Sequence, residues 1–171
     1  MRDWINIINE AMLNEGRDAP LYHGTHFGAA LQIISENRID ATVIHDIPLA
    51  VPLATKGVYK NIYSENGVSL SRLSILLAGP VLFVIDQQKL SQTKKLYPID
   101  YWVSSGGSRR PKSNNKYEAE EFLVGPLYPL DKYLLAIETT KEAIENFKRN
   151  YKNTDLTPLL EHPKFKIVNS Y

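Results

Sequence analysis

The stretch PLYHGTHFGAALQII, Pro20 to Ile34, changes character in its middle. Leu21 and Tyr22 make a strand-like start, His23-Gly24-Thr25 interrupts it, and Ala30, Leu31, Ile33 and Ile34 then recur at helical spacing. It reads as a short strand stopped by Gly24, followed by a helix that Thr25 caps and Asn37 ends. A histidine placed where a strand gives way to a helix either fills a turn or stands at the mouth of a cleft. His23 occupies that place, whereas His26, His45 and His162 have no comparable setting and read as ordinary structural or surface residues.

Before this stretch, Trp4, Ile5, Ile8, Ala11 and Met12 mark an amphipathic helix over 1–16. After it, residues 39–66 carry two prolines and no sustained period, which reads as loop with short elements. A strand over Val68 to Ser71 follows the Asn66-Gly67 turn, and LSILLAG reads as a short helix. PVLFVID, Pro80 to Asp86, is a near-continuous apolar run of the kind found in strands buried on both faces. Then come a helical turn at QQKLS, a strand around KKLYPIDYW, and strands at EEFLVG and KYLLAIE. TTKEAIENFKRNYKN reads as an ordinary solvated amphipathic helix capped by Thr139 or Thr140, and FKIVNS as a last strand. Strands and helices mix without regular βαβ alternation, so the fold class expected is α+β.

The 171 residues fit one domain with a single core, divisible into an N-terminal helix (1–16), a core (21–137) and a C-terminal helix and strand (139–171). Net charge is +1, so any nucleic-acid or membrane role must come from a local patch. One such patch is Ser104 to Lys116, a Gly/Ser-rich loop with Arg109, Arg110, Lys112 and Lys116 and no acid. On composition alone it is a solubilising loop. The absence of cysteine excludes disulfides, thiolate zinc sites and thiol nucleophiles. Asp3, Asn6, Glu10 and Asn14 break up the first segment, no run reaches membrane-spanning length, and a cytoplasmic protein is expected.

Three places put a polar residue on or beside a strand where an apolar one would pack better. They are His23, the pair Ser69 and Ser71, and the carboxylates Glu118, Glu120 and Glu121 that lead into FLVG. Strand alternation puts Ser69 and Ser71 on one face, and puts Glu121 with Leu123 on a different face from Glu120. A histidine, two hydroxyls and a carboxylate suit the binding and activation of a sugar–phosphate compound.

LYHGT before a helix, then GVSLSR, then EEFLVGPLYPLDKYLLAI resembles the ordered core of the ADP-ribosyltransferases, over roughly Leu21 to Ile137. HGT is shared with the histidine-type enzymes and with RNA 2′-phosphotransferases, and LYHGTHFGAALQII is similar to the opening of DNA-modifying ADP-ribosyltransferase toxins. The resemblance implies split antiparallel sheets around an NAD cleft, flanked by helices, and a mono-ADP-ribosyltransferase that uses NAD as substrate and needs no metal. It implies that Tyr22, His23, Gly24, Thr25, Ser69, Ser71 and Arg72 bind NAD, with His23 on the adenosine ribose and Arg72 at the pyrophosphate. It makes Glu121 and His23 the catalytic pair, although Glu118 and Glu120 fit the two-glutamate spacing of the toxins. Tyr101, Trp102, Arg109, Arg110 and Glu120 would recognise the acceptor, a protein or a nucleic acid. No membrane partner is implied, and the small size fits a toxin or phage effector. Two other readings stay open, an RNA 2′-phosphotransferase-like enzyme and a non-catalytic binding or inhibitor module on the same scaffold.

Overall fold

The computed structural model describes residues 19–41, 67–71, 79–97 and 120–169. The expected helices at 1–16 and at LSILLAG lie outside these residues, except for Gly79 at the end of the second. So do the loop at 104–116 and most of the 39–66 stretch. The described fold is α+β.

The central strand is the apolar run. β3, Val81–Ile85, is buried at all five positions, as an uninterrupted aliphatic and aromatic sequence demands. On one side it pairs antiparallel with β1, Leu21–Thr25, in a full five-residue register from Leu21↔Ile85 to Thr25↔Val81. On the other it pairs with β6, Leu134–Thr140, where the register shifts at Val84/Ile85. Leu135 falls at that irregularity and is 48% exposed, the expected fate of an unpaired residue in a bulge.

Outside these three lie β2 (Gly67–Ser71), β5 (Glu120–Val124) and the two-residue β4 (Leu96–Tyr97) on one flank, and β7 (Phe165–Val168) on the other. The sheet order is β4-β5-β2-β1-β3-β6-β7. All neighbours are antiparallel except β6 and β7. A parallel pair needs a crossover, and α3 (Lys141–Asn150) and α4 (Thr157–Leu160) supply it.

One junction is weak. β5 and β2 pair across five residues and β1 and β3 across five, but among the described residues β1 meets β2 only at Tyr22↔Ser71. The β1–β2 junction is thus the most sparsely paired, among the described residues, within one seven-stranded sheet. The α+β class expected from the sequence is the one observed, with the strands joined in one seven-stranded sheet.

Helix α1, Phe27–Glu36, buries Phe27, Ala30 and Ile33 against the face that carries Leu21, Phe83, Ile85 and Ile137. The first expectation to correct concerns its cap. His26, not Thr25, is the N-cap, its Nδ1 accepting from the Ala29 amide at 3.1 Å. Thr25 still belongs to β1 and is buried. Asn37 ends the helix as expected, in the left-handed conformation (φ 52°). Helix α2, Gln87–Thr93, is capped by Asp86, whose carboxylate accepts from the Lys89 amide at 2.9 Å. For α3 the choice between threonines is resolved. Thr140 accepts from the Ala143 amide at 3.1 Å, while buried Thr139 donates its hydroxyl to the Pro80 carbonyl at 2.7 Å.

Candidate active site

The three motifs fall on three adjacent strands. HGT lies on β1, SLS on β2 and EEF on β5, in the spatial order β5-β2-β1. Cross-strand partners share a face of the sheet, so the registers sort the candidate residues into two rows.

In the first row, Glu121 is the register partner of Leu70, and Val68 that of Leu123. The pair Tyr22↔Ser71 places His23 on the same face as Leu70. His23, Leu70 and Glu121 thus hold positions on one face. That face also carries Leu21 and Thr25 of β1 and Val81, Phe83 and Ile85 of β3, all buried. Leu70 itself is fully buried.

The second row, on the opposite face, joins Tyr22, Ser71 and Glu120 by direct pairing, Tyr22↔Ser71↔Glu120. Ser69, opposite Phe122, and Gly24, opposite Leu82, belong to the same face. Leu82, Val84 and Ala136 are buried there too, outside the main core cluster. The Tyr22 phenol is held above its ordinary pKa, first by burial and second by the negative charge of Glu138. It is therefore a neutral hydroxyl throughout the physiological range.

Beyond Tyr22↔Ser71 no register pair joins β1 and β2 among the described residues, with His23, Gly24 and Thr25 on one strand and Leu70, Ser69 and Val68 on the other. Two of the three motifs thus meet at this sparsely paired junction, and the third lies on the next strand. His23 is half-buried at that junction.

A residue that sequence reading passed over fixes this junction from behind. Gly79 (φ 151°) runs so close to the end of β1 that a Cβ on it would sit 2.3 Å from the Thr25 carbonyl carbon and oxygen, and 2.9 Å from the His26 nitrogen. Only glycine permits that approach. In sequence it is the last residue of an apolar run, with no turn signature beyond the following proline.

Arg72, Tyr101, Trp102, Arg109, Arg110 and Glu118 lie outside the described residues. Among the described residues, no cluster of three or more His, Asp or Glu is placed to hold a metal ion, and no helix is long and apolar enough to cross a membrane.

No protein-family model and no curated protein matches this sequence. Two solved structures resemble its fold. One is DarT of Thermus sp. 2.9 in complex with ADP-ribosylated ssDNA, at 12% identity and a TM-score of 0.45, over 91% of this chain and 98% of that one. The other is the same protein in complex with carba-NAD+, at 13% identity and a TM-score of 0.43, over 91% and 100% of the two chains.

Proposed function

We propose that the protein is an NAD-dependent mono-ADP-ribosyltransferase, moving ADP-ribose from NAD to a macromolecular acceptor and releasing nicotinamide. One observation carries the reading: the HGT, SLS and EEF motifs fall on adjacent strands at the sparsely paired β1–β2 junction, with His23 and Glu121 at positions on one face.

In this reading NAD enters the opening between β1 and β2. His23 hydrogen-bonds the adenosine ribose, and Gly24 lets the backbone come close to the nicotinamide amide. Ser69 and Ser71 support the nicotinamide pocket, and Arg72 pairs with the pyrophosphate, for which a guanidinium is well shaped. Glu121 binds the hydroxyls of the nicotinamide ribose. As the bond from ribose C1′ to nicotinamide nitrogen breaks, its electron pair leaves with nicotinamide and positive charge spreads over the ribose. A carboxylate stabilises that state more than the ground state. The acceptor then bonds to C1′ and gives up its proton.

Glu120, in the opposite row, has no place at the ribose in this scheme and contributes to acceptor choice. The basic segment 104–116 and the aromatic pair Tyr101 and Trp102 before it favour a nucleic-acid acceptor over a protein. The DarT complexes, with carba-NAD+ and with ADP-ribosylated ssDNA, are of the same kind.

The test is to incubate the protein with NAD labelled in its adenylate, in separate reactions with single-stranded DNA, RNA and a protein extract. Label on the nucleic acid, absent with Glu121→Gln, is the expected result. Label on protein alone would move the acceptor class, and no NAD turnover with any acceptor would remove the enzyme reading.

A further inference from the structure

The segment Asn146 to Thr154, NFKRNYKNT, holds three cations and no acid in a chain whose net charge is only +1. Its sequence reads as an ordinary solvated helix end. The structure adds something that pattern does not require. Phe147 stacks on Tyr151 (centroids 4.8 Å apart, planes 24° apart) and meets Phe27 on its other side (4.6 Å, 37°). Phe27 is buried in the core, Phe147 is partly buried, and Tyr151 is 60% exposed. The three rings make a column that rises from the core and ends in an aromatic surface open to solvent. Phe27 is also the first residue of the helix that follows the HGT strand, so the column stands on the element next to the candidate site.

Lys148, Arg149 and Lys152 lie within three residues of Tyr151 in the chain, and all three are solvent-exposed. None forms an ion pair with a described acid. Arg149 hydrogen-bonds Asn146, Lys141 takes Glu145 at 3.9 Å, and the Asp155 carboxylate is turned to the Thr157 amide at 2.9 Å. Cations near a helix C-terminus complement its dipole, but that end carries only about half a negative charge. The dipole accounts for one cation and offers no reason for a tyrosine stacked outward among three.

We infer that the Phe147–Tyr151 column, with the neighbouring cations Lys148, Arg149 and Lys152, forms a binding surface for single-stranded nucleic acid. An exposed aromatic face accepts any unpaired base, and cations beside it take the phosphates on either side. A duplex keeps its bases stacked on each other and presents no such face. The surface lies outside the proposed NAD cleft, and strand binding there does not depend on transferase activity.

The test measures fluorescence anisotropy of a labelled oligothymidylate of about 12 nucleotides, with the full chain and without NAD, so that the result is independent of whether the protein is a transferase. Tyr151→Ala is expected to weaken binding roughly five- to a hundredfold, the range for losing one base–aromatic stack. Tyr151→Phe keeps the stack and is expected to bind like wild type. Replacing Lys148 and Lys152 together with alanine is expected to lower the slope of log affinity against log salt by about 1.4, or about 0.7 per phosphate contact. The same oligomer in ribose form separates RNA from DNA as the strand bound. Wild-type affinity in Tyr151→Ala, equal losses in Tyr151→Ala and Tyr151→Phe, or equal binding of a duplex would overturn the inference.

Discussion

Asn37 and Asp131, 94 residues apart in sequence, hold each other reciprocally. Asn37 Nδ2 donates to Asp131 Oδ1 at 3.0 Å, and the Asp131 amide donates to Asn37 Oδ1 at 2.8 Å. The Asn37 carbonyl also accepts from the Leu130 amide at 2.8 Å. Two further backbone bonds between Ile39 and Leu127, at 3.1 and 3.0 Å, continue the same seam. The helix that follows the HGT strand is thereby tied to the chain that leaves the glutamate strand.

This seam predicts how Asn37 responds to substitution. Asn37→Ala loses both side-chain bonds and forces a Cβ residue without local hydrogen bonding into the left-handed region. The expected cost is about 2–3 kcal/mol. Asn37→Gly loses the same bonds but not the backbone freedom, and should be more stable than the alanine variant by about 1 kcal/mol. Urea unfolding of the two variants checks the order. A glycine variant no more stable than alanine would mean that the backbone conformation costs nothing there.

Gly79 is the second site where a small change should be felt. An alanine Cβ at 2.3 Å from the Thr25 carbonyl cannot be accommodated by a side chain swinging away, because both contacts are backbone. Gly79→Ala is expected to cost about 1–3 kcal/mol, as overpacking does. It should also weaken NAD binding more than Asn37→Ala does, since the end of β1 that must shift carries His23 and Gly24. Thermal melting and calorimetric NAD titration on both variants separate the two effects.

Stability should fall at both ends of the pH scale for different reasons. The Tyr22 pKa is raised in the folded chain, by burial and by Glu138. Its contribution is fully present below the unfolded value of about 10 and is lost as pH rises through the folded value. The His162 pKa is lowered, by burial and by Lys164, and its Nδ1 accepts from the Lys164 amide at 3.2 Å. Its contribution is present above about 6.5 and is lost as pH falls through the folded value. Tyr22→Phe should therefore flatten the alkaline limb of a stability–pH profile, and His162→Gln the acid limb. A profile unchanged by either substitution would show that those groups are not coupled to folding.

What the sequence made legible was whatever depended on local pattern. The PVLFVI run had to be a strand covered on both faces, and β3 is buried at every position. The NFKRNYKN segment had to be helical at its start, yet nothing local says that Phe147 will lie between Tyr151 and Phe27, which comes from another part of the chain. Histidine is an unusual cap, so Thr25 drew the assignment that belongs to His26. TPLL is too short for a helical period, and α4 went unseen. Gly79 matters only because β1 passes behind it, a tertiary fact. The choice among the glutamates was likewise beyond local reading. Alternation separated Glu120 from Glu121, but only the pairing of Leu70 with Glu121 assigns Glu121 to the face of His23.

That assignment is the central claim, and nicotinamide release from NAD tests it most directly. Wild type, Glu121→Gln and Glu120→Gln are compared at saturating NAD after confirming that all three are folded. The account predicts a loss of about a hundredfold or more with Glu121→Gln, the scale of removing one electrostatic partner of a transition state, and near wild-type release with Glu120→Gln. Full release by Glu121→Gln, or a loss confined to Glu120→Gln, would contradict it.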